Sequence, residues 1–368
     1  MHIHNFNAGP AILPECVYSN LAYAVNNYGN TGLSLLEISH RSAEFHGILL
    51  EAELLLRELL SIPPDFSVIF LAGGASQHFA QIPMNFMKAL HHAAYLDTGV
   101  WASNAIREAR CFGNVEVVAS GKKDNYSLIP RHFHIPDNCS YFHYVANNTI
   151  YGTELQEVPK TEVPVFCDMS SNILSTTFDI TKFSLIYASA QKNIGPAGAS
   201  IVIVKNTVLD LVNSSVPNIF NYKVLANCKS LFNTPPVLSI YGMLLTLRWV
   251  KEEGGVAEFQ KRSIEKSSLL YNEIERNDLF RSRVKSAEQR SRINVTFEMI
   301  DPNLEDAFLH YASERGIVGI KQYQNYPGFR ASLYNALPLE SVQVLASTMH
   351  EFEVKFKKRG NSASVRYK

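Results

Sequence analysis

Ser184-Leu-Ile-Tyr-Ala-Ser-Ala-Gln-Lys-Asn-Ile-Gly-Pro-Ala-Gly-Ala-Ser-Ile-Val-Ile-Val204 is the stretch on which the reading of this chain turns. Two short apolar runs, Leu185 to Ala188 and the β-branched-rich Ala199 to Val204, predict buried strands. Between them lies a lone cation, Lys192, followed by Asn193 and the turn-forming Gly195, Pro196 and Gly198. A charge at the mouth of a buried sheet is costly to desolvate and needs a partner or a task. Taken alone, Lys192 reads better as a solvated loop lysine. A second signal upstream shifts that balance. Val163-Pro-Val-Phe-Cys-Asp168-Met-Ser-Ser is another apolar strand, and it ends in a single carboxylate.

Ligand sites in open α/β sheets gather at the carboxyl ends of the strands. An acid at one strand end and a lysine just past another, 24 positions on, can therefore face one crevice. That pairing suits pyridoxal phosphate. The amine attaches the cofactor, and the carboxylate pairs with its pyridinium nitrogen so that the ring acts as an electron sink. Spacing alone is only suggestive, because many α/β proteins carry Asp and Lys at strand ends. Gly73-Gly74-Ala75-Ser76 offers backbone donors for a phosphate where the strand Phe66 to Leu71 passes into a helical pattern. Such a glycine pair is common in α/β folds.

The surrounding residues are more specific. Ser189-Ala-Gln-Lys-Asn-Ile-Gly-Pro-Ala-Gly, preceded by Asp168-Met-Ser-Ser-Asn172, resembles the cofactor segment of the phosphoserine aminotransferase family (class V, fold type I). Asn5-Phe-Asn-Ala-Gly-Pro10, His40-Arg41, Gly73-Gly74, Asn148-Thr149, Phe232-Asn-Thr-Pro-Pro236 and Arg330-Ala-Ser-Leu-Tyr-Asn335 follow in the family's order. The resemblance implies an α/β large domain with a mainly parallel seven-stranded sheet, and a smaller α+β C-terminal domain. It implies that Lys192 and Asp168 are catalytic and bind the cofactor. Gln191, Ala75 and Ser76 would hold its phosphate, with Trp101 stacked on the ring and Thr149 on the phenolic oxygen. Asn233 and Thr234 match a pair supplied by the neighbouring subunit, so the site would be shared across a homodimer. Arg330 would clamp the substrate α-carboxylate, which a guanidinium fork fits bidentately. His40 and Arg41 would reach a substrate phosphate from the partner. Plainer roles stand beside several of these: Asn233-Thr234 as a turn before the helix at Val237, and Trp101 as ordinary packing.

Composition bounds the class. The chain has 368 residues, enough for a large core, and balances 34 basic against 34 acidic side chains, so no global field draws nucleic acid or an anionic membrane. No apolar run approaches the roughly 20 residues of a membrane span. The start shows no basic segment followed by an apolar run, so no signal peptide is expected. Five scattered cysteines without CxxC pairs fit a reducing, cytoplasmic setting, with neither disulfides nor a metal site.

Along the chain, residues through Pro14 predict an extended arm, and Ala43 to Leu60 a helix capped by Ser42. Strands are expected near 93–96, 115–118, 141–144, 292–297 and 330–334. Helices are expected at 102–112, 207–213, 237–252, 257–275, 304–314 and 339–357. The diglycine Gly254-Gly255 divides a large domain, 15–255, from a small domain, 256–368, which the arm 1–14 joins. The polar tail from Lys357 is expected to fray.

One family landmark is absent. Where the family carries a Lys-Gly-His-Arg segment before the carboxylate-binding arginine, this chain reads Lys321-Gln322-Tyr323-Gln324. Charge-assisted hydrogen bonds are worth roughly 1.5–3 kcal/mol against about 1 for neutral ones, so the change would cost a phosphorylated substrate roughly a hundredfold in affinity. Lys321 is a candidate compensator. The main expectation is amino transfer between glutamate and 3-phosphohydroxypyruvate in serine biosynthesis. The alternative is an aminotransferase for a different, non-phosphorylated amino or keto acid. A pyridoxal phosphate lyase is more remote, because no cysteine lies in a recognisable site loop.

Overall fold

Ser42 opens the first long helix as its sequence demands: the hydroxyl accepts from the Phe45 N–H at 3.3 Å. The computed structural model describes residues 2–87, 92–322 and 326–364, of which 357–364 only as backbone. The chain begins with β1 (His4–Asn5), α1 (Glu15–Asn27) and α2 (Ala43–Leu60). It continues through β2 (Phe66–Ala72), α3 (His78–Phe86), β3 (His92–Asp97), α4 (Val100–Ala109) and β4 (Asn114–Ser120). Next come β5 (Cys139–Val145), β6 (Val165–Asp168), β7 (Leu185–Ser189) and β8 (Ala199–Lys205). These seven strands form one sheet in the order β2-β8-β7-β6-β5-β3-β4.

Only β8 runs against its neighbours in that sheet. The reason is local: the connection 190–198 is shorter than the dozen or so residues a parallel crossover requires. The chain must turn straight back, and Lys192 rides in that tight return. From β3 the chain passes outward to β4, then returns to the other side of β3 as β5. Ligands collect at such a reversal of strand order. Both faces of the sheet are apolar. Phe142, Val165, Ile186 and Ile201 face a core that includes α2 and the later helix 237–252, whereas Tyr95, Phe166, Leu185 and Val202 face α3, α4 and the short helix 222–227.

Helices α5 (Asn206–Leu209) and α6 (Tyr222–Asn227) are short, and α7 (Val237–Glu252) and α8 (Gly255–Arg276) are long. The helix expected over 207–213 stops at Leu209. Asn213 Oδ1 accepts from the N–H and hydroxyl of Ser215, a local turn that competes with helix. A second, antiparallel sheet has the order β12-β10-β9, from β9 (Phe280–Ser282), β10 (Asn294–Met299) and, beyond α9 (Glu305–Ser313) and β11 (Ile317–Val318), β12 (Phe329–Ser332). The last helix, α10 (Leu339–Ser364), continues past Lys357, so the segment expected to fray is wound into it as far as Ser364.

The N-terminal arm is not simply extended. β1 pairs in parallel with β11, Phe6 is buried in the C-terminal core, and α1 follows Pro14 directly. Helix α1 was not expected; Pro14 followed by Glu15 in the first turn is the signal that marks it. Among the described residues no helix is long and apolar enough to cross a membrane.

Candidate active site

The end of β6 and the return after β7 bring Asp168 and Lys192 together. Lys192 Nζ donates to Thr149 Oγ1 and to Ser171 Oγ, both at 2.8 Å, and those hydroxyls are 2.6 Å apart. Thr149 follows β5 and Ser171 follows β6, so the amine is held by the ends of neighbouring strands. Burial pulls the Lys192 pKa down to about 8; the Asp168 charge opposes this and the Arg330 charge reinforces it. Asp168 is buried, which pushes its carboxyl up, while hydrogen bonds from Ser170, the Lys192 charge and the Tyr187 phenol pull it back. The Ser170 N–H donates to Asp168 Oδ1 at 2.9 Å, and Ser170 Oγ accepts from the Ser189 N–H at 3.1 Å.

The turn after Asp168 is tightly specified. Leu174 is fully buried in a left-handed conformation, φ +61°, which a branched side chain adopts only under constraint. The constraint is visible. Asn193 Nδ2 donates to the carbonyls of Ser171 and Ile173, Asn335 Nδ2 donates to that of Leu174, and Asn193 Oδ1 accepts from the Asn335 N–H. The lysine turn, the acid's loop and the strand of Arg330 are thus one network.

The second sheet, with Gln322 just outside it, grips the segment bearing Thr149 by three successive carbonyls. Arg330 Nη1 donates to Thr149 O at 3.4 Å, Gln322 Nε2 to Ile150 O at 3.0 Å, and Thr296 Oγ1 to Tyr151 O at 2.9 Å. Gln322 belongs to the segment where the family landmark is absent. Tyr323 and Gln324, the other changed positions, lie outside the described residues. Replacing Gln322 with alanine is expected to destabilise the fold by about 1–3 kcal/mol, because the Ile150 carbonyl loses a partner. Urea unfolding monitored by tryptophan fluorescence measures it, and an unchanged midpoint would contradict the grip.

The arm lies over the lysine turn. The Ala11 N–H donates to Gln191 O at 2.9 Å, and a side chain on Gly9 (φ +143°) would meet Gln191 Cγ at 3.4 Å and Lys192 Cγ at 3.7 Å. Gln191 Oε1 in turn meets Ser189 Oγ. Ala75 and Ser76 sit in the turn that enters α3, reached through Gly73 (φ +99°), and a Cβ on Gly74 would lie 3.4 Å from Ser189 Oγ. Gln191, Ala75 and Ser76 therefore converge near Ser189. Trp101, in the first turn of α4, packs with Tyr126, Ile150, Tyr151 and Tyr326, and its indole N–H is buried with no hydrogen-bond partner among the described residues.

Four expected site residues stand apart within this chain. Asn233, Thr234 and Arg41 are exposed and His40 is half-buried; among the described residues none of their side chains hydrogen-bonds to the Lys192 cluster. Ser170 and Ser171 hydrogen-bond within the Asp168–Lys192 cluster, although the sequence reading gave them no role. A separate surface cavity of about 470 Å³, lined by residues including Lys123, Arg281, Arg283 and Tyr151, includes none of the Lys192 cluster.

The donor set fits pyridoxal phosphate: a buried amine of lowered pKa, a buried acid, hydroxyls beside the amine, and strand-to-helix N–H groups for a phosphate. Comparison with known proteins agrees. The aminotransferase class-V family matches residues 3–345. A phosphoserine aminotransferase of Parabacteroides distasonis is 50% identical over 355 residues, covering 96% of this chain and 99% of the relative. The solved structure of phosphoserine aminotransferase from Bacillus circulans subsp. alkalophilus superposes with a TM-score of 0.93 at 38% identity, over 96% of this chain and 99% of that one. A pyridoxal phosphate-bound phosphoserine aminotransferase from Trichomonas vaginalis gives 0.90 at 34%, over 95% and 100%. The chain belongs to the class-V aminotransferases, in the phosphoserine aminotransferase family, and is a pyridoxal phosphate-dependent transaminase of fold type I.

Proposed function

We propose that this enzyme moves the amino group of glutamate to 3-phosphohydroxypyruvate, giving phosphoserine and 2-oxoglutarate, with Lys192, Asp168 and Arg330 as its working residues. The observation that carries the assignment of roles is the Lys192 amine held between Thr149 and Ser171 beside a buried acid. Pyridoxal phosphate, when bound, supplies the electron sink that stabilises negative charge at the substrate α-carbon. Asp168, as a carboxylate, would hold a proton on the ring nitrogen of the bound cofactor. Thr149 and Ser171 fix the direction of Lys192 Nζ, which would move the proton between the substrate α-carbon and the cofactor carbon, the general acid–base step. Arg330 would receive the substrate α-carboxylate, and Trp101 would supply the aromatic face that stacks on the cofactor ring. Gln191, Ala75 and Ser76 would bind the cofactor phosphate.

Substrate choice is tested by comparing kcat/KM for 3-phosphohydroxypyruvate and hydroxypyruvate. A clear preference for the phosphorylated acid is expected; the reverse preference would move the enzyme to the unphosphorylated substrate while leaving its chemistry intact.

Free Lys192 must be neutral to capture the cofactor. Because its pKa lies at about 8, below the usual lysine value, recombination of cofactor-free enzyme with pyridoxal phosphate is expected to accelerate as pH rises through 8 and then level off. Stopped-flow absorbance measures the profile. A rate still climbing steeply up to pH 10 would indicate an ordinary, solvated amine.

We infer that Asn233, Thr234, His40 and Arg41 serve a second copy of the chain; their separation from the Lys192 cluster and the exposed Leu33, Leu36, Leu50 and Leu54 support this reading. In a homodimer with shared sites, unfolding and refolding an equal mixture of inactive Lys192→Ala and Arg41→Ala chains is expected to restore roughly a quarter of the sites. No recovery would mean that Arg41 serves its own chain. The same reading joins the arm 1–14 to a small domain at 256–368, supported by Phe6 in the C-terminal core.

A further inference from the structure

Helix α8 carries a buried lysine that the reaction as described does not use. Lys266 is 3% exposed, and its Nζ donates to the carbonyls of Tyr334 at 2.8 Å and Leu337 at 3.1 Å. Those two residues are the ends of a tight turn between β12 and α10, closed by the Leu337 N–H, which donates to the same Tyr334 carbonyl at 3.0 Å. One amine therefore holds both ends of the turn. Within the turn, Asn335 is buried and meets the loops around Lys192. Its N–H donates to Asn193 Oδ1 at 3.0 Å and its Nδ2 to Leu174 O at 2.9 Å. Asn193, the residue after Lys192, donates from Nδ2 to the carbonyls of Ser171 at 3.2 Å and Ile173 at 3.1 Å. Ser171 Oγ accepts from Lys192 Nζ at 2.8 Å. The buried lysine and the reactive one are thus joined through a single turn.

An ammonium buried against neutral carbonyls is costly, and a methionine would fill the same space without that cost. What the lysine supplies is donors. Burial, reinforced by the Arg262 charge, pulls the Lys266 pKa down to about 7. Charged or neutral, the amine keeps enough hydrogens for both carbonyls, so the staple survives either state. Removing the amine would take a donor from two buried carbonyls and leave the turn free to shift.

We propose that Lys266 is a positioning residue for the transamination: by stapling the turn 334–337 it keeps Asn335 seated against Asn193 and the loop of Ser171, and so fixes the direction of the Lys192 amine. The staple rests on the assignment of Lys192 to cofactor capture and proton transfer. Arg330, on the strand before the turn, is held separately by the pairing of β12 with Thr296 of β10. Loss of the staple therefore falls on the amine and not on the substrate carboxylate.

The test compares Lys266→Met, Asn335→Ala and the double variant, with Lys192→Ala as control. Recombination of cofactor-free enzyme with pyridoxal phosphate reads the Lys192 amine. A loosened seat admits water and relieves the burial that lowers its pKa, so the pH midpoint should move upward in Lys266→Met. That variant should also lower kcat roughly tenfold, with KM for glutamate unchanged. A lysine that only stabilises the fold would lower the unfolding midpoint and leave kcat and the pH midpoint as in the parent; that result overturns the staple. Because the route runs through Asn335, the double variant should lose no more kcat than Asn335→Ala alone, and additive losses overturn it. If Lys192→Ala loses activity while Lys266→Met matches the parent, the staple is wrong and the role of Lys192 stands. If Lys192→Ala keeps the parent's kcat, the role of Lys192 fails, and the staple with it. Should Lys266→Met fail to fold, hydrogen exchange in the parent cofactor-free enzyme decides. The N–H groups of Asn335, Leu337 and Gly195 should open as one unit with the same denaturant dependence, and separate opening overturns the staple.

Discussion

Lys192→Ala is expected to lower kcat on the order of ten-thousandfold, the upper range for loss of a positioned acid–base group. The amine is held between two hydroxyls at 2.8 Å in a buried site, and water is too weak a base to replace it there. Thr149 and Ser171 hydrogen-bond to each other at 2.6 Å and would stay paired without it, so the fold should survive. Single-turnover reaction with glutamate, followed by cofactor absorbance, isolates the affected step. Added methylamine should recover part of the rate by occupying the space left by the side chain. Activity within about tenfold of the parent would remove Lys192 from the chemistry.

Arg330→Gln is expected to reduce kcat/KM for glutamate on the order of a hundred- to a thousandfold, because a carboxylate entering a buried site would lose its charged partner. Arg330 is buried on β12, and its Nη1 also reaches the Thr149 carbonyl at 3.4 Å, so the loss falls on two functions. Arg330→Lys keeps the charge but not the fork and should lie between. A primary amine lacking a carboxylate serves as control: its slow reaction should be affected far less. An equal loss with that control would assign Arg330 to holding Thr149 and not to binding substrate.

Much of this site was legible because its main residues are local in sequence. Asp168 ends one apolar run, Lys192 follows another, and hydrophobic periodicity places α2 at Ala43–Leu60 and α7 at Val237–Glu252. What escaped depends on which strands lie side by side. Ser171 looks like a turn serine until β5 and β6 become neighbours and deliver Thr149 to the same amine. Gln322 reads as a lost landmark, yet its amide reaches the Ile150 carbonyl across a separation that no local pattern encodes. The reversal of β8 was readable in principle from the shortness of its connection, while the two-residue strands β1 and β11 carry too few residues for any period to show.

The triple grip on the Thr149–Tyr151 backbone makes the second sheet and the lysine's own hydroxyl partner a single mechanical piece. Trimming Gln322 or Arg330 to admit a bulkier acid would also slacken the seat of the reactive amine. Efforts to broaden substrate scope therefore have more freedom at residues that line the cleft without bearing on those three carbonyls.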